Sequence, residues 1–428
     1  MKNKINRYIS SGILITLFVF SFVGKAQAVP AFARQMGTAC SACHFQNYPA
    51  LNSFGRMFRS KGFTMGGMQK MVEGDGLSLP SNLNASVITK IRYQDKASND
   101  RGEVQWPDEA ALLVGGRAAK NIGFLMELGL GPVGADADTG SGVISGDSNS
   151  NGIMDAGEVW VADTGSGEGE THGTFLSTKV HFAIGNKFAI IPFSTDGLGA
   201  AYGFELLNTG VQRSQRPIED RKGFSAYQKT GISSGEATGI AFIYETPELF
   251  INYSHWAPTW GNVDANIFGG LAHYFRIGYM PNISGWDSGF GATLMAGSVD
   301  VGAHDPAEEV FVDGFGLDAQ MQGMAGSMPL GVYASYAVAP KSSASETNHY
   351  NSSLTDDSTS FGLLGKLEVS PGTSVYLAHN SYEKGDSNSS NTLGVQKMLA
   401  QNVKLELYAV SSSEDDKDYT MLMLFAGF

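Results

Sequence analysis

"TFLSTKVHFAI", residues 174–184, sets Leu176, Thr178, Val180, Phe182 and Ile184 on one side of an extended chain and Ser177, Lys179 and His181 on the other. Successive side chains of a strand point to opposite faces, so a period of two predicts a strand with one apolar and one polar face. "NASVITKIRYQ", residues 84–94, repeats the pattern, with Ala85, Val87, Thr89, Ile91 and Tyr93 against Asn84, Ser86, Ile88, Lys90 and Arg92, Ile88 being the one mismatch. "NIGFLMELGLG", residues 121–131, sets Ile122, Phe124, Met126, Leu128 and Leu130 against Gly123, Leu125, Glu127 and Gly129. Segments of about ten residues with this period, parted by Gly, Asn, Asp and Ser clusters, are the pattern of transmembrane β-strands. A soluble β-sandwich alternates in the same way, so further features must decide.

The first is export. Lys2, Lys4 and Arg7 precede an apolar run from Ile9 to Val23, and Ala26 to Ala28 form a small-x-small cleavage site, which predicts a signal peptide over residues 1–28. The run is shorter than the roughly 20 residues a membrane helix needs. Downstream, every apolar run is broken within a few residues by Gly, Asp, Lys or Asn, so a membrane crossing has to be made by strands. With 54 Gly, 25 Phe, 16 Tyr and 17% charged residues, the composition fits neither a helical bundle nor a disordered chain. Some connections are tight, as at residues 185–187, and others long and acidic, as at 132–171. Outer-membrane barrels pair short periplasmic turns with longer outer loops. The chain ends in "MLMLFAGF", and its closing Phe428 resembles the terminal aromatic of bacterial outer-membrane barrels. At roughly 22 residues per strand and turn, the remaining length holds about 16 strands, enough for an aqueous lumen.

Both cysteines of the chain fall in "CSACH", residues 40–44. Cys40, Cys43 and His44 make C-x-x-C-H, the covalent attachment site of a c-type haem. Two thiols at this spacing reach two vinyl groups on one edge of a macrocycle, and the next residue turns under the iron as proximal ligand. A thioredoxin-type pair would need a βαβ pattern, and a zinc site two more ligands at suitable spacing; neither is present. After the motif the spacing predicts a helix, with Asn47 as cap, Pro49 in the first turn, Leu51, Phe54, Gly55 and Phe58 on one face, and Gly62 as stop. Arg56, Arg59 and Lys61 take the other side. Met36, Met57, Met65 and Met68 lie near the motif, and Met65 is the expected sixth iron ligand, with a packing methionine as the alternative.

Residues 28–63 resemble the N-terminus of the outer-membrane fused cytochrome-porins that serve as iron oxidases in iron-oxidising bacteria. That family shares V-P-x-F-A-R-Q before C-x-x-C-H and P-x-L-x-x-F-G-R after it. Here these are Val29, Pro30, Phe32, Ala33, Arg34 and Gln35, then Pro49, Leu51, Phe54, Gly55 and Arg56. The resemblance implies a small haem domain plugging the barrel from the periplasmic side. It also implies electron transfer from extracellular Fe(II) through one haem c to a periplasmic c-type cytochrome or similar carrier. Charge is consistent with such docking: residues 29–72 carry +5 with no acid, whereas the rest of the mature chain holds 20 Lys or Arg against 42 Asp or Glu. An acidic mouth would concentrate a metal cation.

A second motif lies in "DSNSNGIMDAGE". Asp147, Asn149, Asn151, Gly152, Asp155 and Glu158 fit the spacing of a calcium loop, with the Ile153 carbonyl, a water on Asp155 and a bidentate Glu158 completing the oxygen set. Its expected role is to stiffen a long loop. No catalytic triad, phosphate loop or dinucleotide fingerprint stands out, and the acidic chain does not fit nucleic-acid binding.

The expected protein is thus mainly β. A signal peptide (1–28) precedes a monohaem α-helical c-type cytochrome plug (29–76) and an antiparallel porin-like β-barrel (77–428) in the outer membrane of a Gram-negative bacterium, its wall in contact with lipid. Two alternatives accompany this reading: a conduit for a different donor, and a diffusion channel whose haem-bearing plug gates or senses.

Overall fold

A computed structural model describes residues 30–65, 70–81, 83–98, 101–130, 144–145, 161–162, 175–220, 223–232, 234–261, 270–300, 309–400, 402–414 and 417–428. The signal peptide, the calcium-like loop 147–158 and Met68 lie outside them. Among the described residues no helix is long and apolar enough to cross a membrane.

Sixteen antiparallel strands close into a barrel. In chain order they are β1 (Ala85–Lys96), β2 (Glu103–Ala119), β3 (Ile122–Gly129), β4 (Phe175–Ile184), β5 (Phe188–Thr195), β6 (Ala237–Glu245), β7 (Leu249–Ala257) and β8 (Ala272–Tyr279). Then follow β9 (Trp286–Ala296), β10 (Gly314–Ala325), β11 (Met328–Ala339), β12 (Ser358–Ser370), β13 (Thr373–Lys384), β14 (Asp386–Ala400), β15 (Val403–Ser412) and β16 (Tyr419–Gly427). Consecutive strands pair, and a two-residue segment, Asn282–Ile283, adds to the foot of β9. Closure comes from β16 against β1, with Tyr419 opposite Lys96 and Gly427 opposite Ile88. Phe428 extends the seam, exchanging backbone hydrogen bonds with Val87 at 2.9 and 3.2 Å. A closed barrel leaves no unpaired edge, which is the condition for spanning lipid with strands.

The period of two places the two faces as expected. In β4, Ser177, Lys179 and His181 are buried in the lumen, while Phe182 and Ile184 face outward. In β8, Ala272, Tyr274 and Arg276 are buried and His273, Phe275, Ile277 and Tyr279 face out. Exposed Phe242, Phe275, Leu294, Phe361 and Leu422 belong to an outward apolar band, and Lys90, Arg276, Lys366, Lys404 and Glu406 are buried inside. This is an outer-membrane-type arrangement, with an apolar exterior around a polar interior. The apparent mismatches are contacts with the filled lumen. Ile88 lines the central cavity, and Leu125 packs against the N-terminal segment.

One barrel end has short connections, such as residues 185–187 and 326–327. At the other end, the described residues of a long segment, 196–236, fold inward and line the lumen. Tyr202, Phe204, Leu207, Gln212, Phe224 and Tyr227 are among its buried residues. Arg276 of β8 clasps it: the guanidinium pairs with Glu205 of the segment and with Asp318 of β10, all three side chains being fully buried. Asp318 also accepts hydrogen bonds from Thr209 and Tyr227 of the segment, at 2.6 and 3.1 Å.

Candidate functional site

The N-terminal segment fills the short-connection end. Helix α1 (Pro30–Met36) leads into a 3-10 turn at Cys40–Ala42 and then helix α2 (Ser53–Ser60). The helix after the motif starts later than its spacing suggests. Its cap is Asn52, whose side chain accepts from the Gly55 amide, and not Asn47. Asn47 instead accepts from Lys366 of β12 at 2.7 Å, and Pro49 lies in the loop before the helix. Backbone pairing between His44 and Leu51 closes residues 45–50 into a small loop, which leaves no room for a helix there.

Among the described residues, hydrogen bonds and ion pairs tie this plug to six strands. Ala31 donates to Ser86, Arg34 to the Ala85 carbonyl, Gln46 to the Pro329 and Lys366 carbonyls, and Lys404 to the Tyr48 carbonyl. Arg56 pairs with Asp287 at 2.5 Å and Lys61 pairs with Glu245. The basic plug thus meets acidic wall residues as the charge asymmetry implies, although Arg56 and Arg59 are docking groups and not a solvated helix face. Asp287→Ala leaves the Arg56 guanidinium, 4% exposed, without its counter-ion. The expected cost to plug docking is about 3 kcal/mol, as for other buried pairs broken from one side. Faster tryptic cleavage after Arg56 or Lys61 in the otherwise folded protein measures it.

The three motif residues come together on one cavity. Cys40, Cys43 and His44 line a space of about 1570 Å³ together with Leu51, Gly55 and Phe58. That exceeds the about 300–1,000 Å³ of an ordinary small-molecule pocket. The same cavity extends to Lys96, Ser98, Glu414 and Asp418 at the long-connection end. Both thiols are unbridged, Cys40 buried and Cys43 half-buried.

The residues fit a c-type haem on three counts. The amides of Cys43 and His44 both donate to the Cys40 carbonyl, at 3.0 and 2.9 Å, so the motif is a tight turn with its two cysteines close together. His44 Nδ1 lies 3.2 Å from the Ala50 carbonyl. A carbonyl only accepts, so Nδ1 carries the proton and Nε2 keeps its lone pair for a metal. Burial lowers the His44 pKa to about 4, which keeps the imidazole neutral at neutral pH. Third, Gly55 lets α2 press on the motif, because a Cβ there would lie 2.1 Å from the Cys43 carbonyl oxygen.

Met65 sits elsewhere. It packs against the cluster of Met36, Phe58 and Phe63, and its carbonyl accepts from Gln35 at 3.1 Å. It is not among the residues lining the cavity of Cys40, Cys43 and His44. Among the described residues, the wall of that cavity is also less acidic than the chain as a whole, with nine Asp or Glu against eight Lys or Arg.

The inward segment supplies site residues that strand periodicity did not reveal. Asn208, fully buried, accepts from the Leu51 amide at 2.7 Å and donates to the Leu51 carbonyl at 2.9 Å. Gln212 and Gln215 accept from Arg59. A signal was present: residues 196–236 hold five basic and five acidic residues with Leu206, Leu207, Val211, Ile218 and Phe224, unlike the acidic connection at 132–171.

No protein-family model and no curated protein matches the chain. Among solved structures it is similar to OmpF of Salmonella typhi in complex with daunomycin, at 10% identity and TM-score 0.48, covering 84% of this chain and 100% of that one. A substituted porin of Rh. blastica gives 9% identity and TM-score 0.48 over 81% and 100% of the two chains. Outer-membrane-expressed OmpT of Vibrio cholerae gives 8% and 0.45 over 84% and 100%. The assignment of an outer-membrane porin-like barrel rests on the closed register and the outward apolar band of this chain itself.

Proposed function

We propose that the protein transfers electrons across the outer membrane. They would pass from an extracellular reductant, Fe(II) by family resemblance, through one c-type haem on Cys40, Cys43 and His44, to a periplasmic carrier. The observation that carries this reading is the cavity. It begins among strand ends at the long-connection side and descends to the C-x-x-C-H turn, which a plug holds at the opposite end. By the general rule for such barrels, long connections face outward and short ones the periplasm, so the motif would lie at the periplasmic end of a cavity that reaches the outer side.

The haem would supply a one-electron acceptor and donor inside the lumen. The chain's own residues orient it and limit access to it. His44 presents Nε2 because Ala50 holds Nδ1–H, while Leu51, Phe58 and Phe63 provide an apolar wall. Met65 remains the proposed sixth ligand, which its place in the neighbouring cluster requires to swing toward the cavity. The near-balance of charge on the cavity wall argues that any cation steering arises outside it. Calcium at Asp147–Glu158 is proposed as a loop stiffener on motif spacing alone. A diffusion channel with a haem-bearing gate, the second reading, requires the plug to leave, against its bonds to six strands.

Stopped-flow absorbance of the full-length protein in detergent or vesicles, mixed with Fe(II) at neutral pH, tests the proposal. Saturable appearance of reduced haem bands, lost in His44→Ala, is the expected result. A haem that dithionite reduces and Fe(II) does not would remove Fe(II) as donor.

A further inference from the structure

Arg59 lies four positions after Gly55 on α2, about 6 Å along the helix axis. Both line the cavity beside Cys40 and Cys43. A flat macrocycle joined to the two cysteines would therefore share its cavity with Gly55, Arg59 and the inward segment. Polar groups on this wall are incompletely used. Arg59 Nε, Gln212 Nε2 and Arg216 Nε are buried and bond nothing, although Arg216 donates its two terminal nitrogens to Glu219 at 2.6 Å and to the Arg213 carbonyl at 2.8 Å. Gln212 is fully buried and Arg216 is 3% exposed. Buried donors are nearly always paired, and these three, which with Arg92 Nε belong to residues of one cavity wall, lack an acceptor. Two belong to guanidinium cations, which favour carboxylate oxygens.

We infer that Arg59, Gln212 and Arg216 receive the carboxylate edge of the tetrapyrrole, so that the inward segment of the barrel completes a cofactor site begun by the plug. This rests on the haem reading above. Carboxylates also line the cavity, Glu127 and Glu219 among them. Glu219 is offset by Arg216, Lys90 and Lys404, at 2.6, 3.2 and 3.6 Å. The segment is clamped to the plug at Leu51 through Asn208, and Leu51 pairs with His44, so one rigid unit sets both the iron-ligand side and the carboxylate side.

The test uses full-length protein in detergent, as wild type, Arg216→Met, Arg216→Lys and Gln212→Met. Haem-stained denaturing gels verify covalent haem, and heat-modifiable gel mobility verifies the closed barrel. In Arg216→Met, loss of a cation beside the cofactor is expected to lower the one-electron equilibrium constant about tenfold, about 59 mV in midpoint potential. The resonance Raman propionate-bending bands should shift in both methionine variants, which a merely structural role would not produce. Arg216→Lys should recover the potential and not the bands, since an ammonium keeps charge without the planar fork. Haem-loaded variants with unchanged potential and bands would overturn the inference and leave the haem reading standing. So would unchanged bands combined with a wild-type potential that responds saturably to added phosphate, a response lost in Arg216→Met, because the wall would then bind a free anion. Wild type without covalent haem would overturn both.

Discussion

On the proposed haem site, Gly55→Val is expected to give a folded barrel whose haem content falls by tenfold or more. The Cβ it introduces would stand 2.1 Å from the Cys43 carbonyl oxygen and 3.1 Å from a Leu51 methyl. Neither side has slack. Cys43 is tied by its amide to the Cys40 carbonyl and by its carbonyl to the Asn52 amide, both at 3.0 Å, and Asn52 caps the helix that carries Gly55. Overpacking of this kind costs about 1–3 kcal/mol, and each 1.4 kcal/mol is about a factor of ten in occupancy of the competent geometry. The strain falls on the turn that, in the proposed site, would present two thiols and an imidazole to one macrocycle. The barrel is spared because its hydrogen bonds run strand to strand and close through β16 and β1. The ratio of Soret to protein absorbance, with gel mobility as the folding control, decides the matter; wild-type haem content in the variant would remove Gly55 from the site.

Arg276→Ala should release the inward segment from the lumen. Glu205 and Asp318, both tied to Arg276, would be left as uncompensated carboxylates in the barrel interior. Removing one partner of a buried ionic cluster costs about 3–5 kcal/mol. Part of that cost is relieved if the segment swings out and hydrates Glu205, which in the folded state accepts from Arg276 and the amides of Leu206 and Leu207. Tryptic cleavage at Arg213, Arg216 or Lys229 should then rise by about a hundredfold or more, since proteolysis tracks the open population when opening is fast. Combining Arg276→Met with Glu205→Gln and Asp318→Asn should restore most of the protection, because no buried charge is then left unpaired. Equal cleavage rates in wild type and Arg276→Ala would show that apolar packing around Phe204, Leu207 and Tyr227 holds the segment without the ionic clasp.

What the sequence by itself determined is what depends on near neighbours. The wall strands were legible because each residue meets either lipid or lumen, and a period of two records that alternation directly: His181 and Lys179 turn inward, Phe182 outward. The tight turn at Cys40–His44 was legible as a motif because its residues lie only a few positions apart, and the haem proposed there rests on that spacing. Tertiary structure alone decided the rest. Asn47 and Asn52 are equally good caps in isolation, and Lys366 of the wall claims the first. Arg56 and Arg59 resemble a solvated helix face until Asp287, Gln212 and Gln215 appear opposite them, more than 150 positions along the chain. Residues 196–236 resemble an outer loop, with their mixed charge and apolar content as the only local hint. They fold inward because Arg276 and Asp318, on two separate strands, meet Glu205 inside the closed barrel. A buried charge needs its partner at a few ångströms, and which partner arrives is settled by barrel closure, a property of the whole chain and not of any segment.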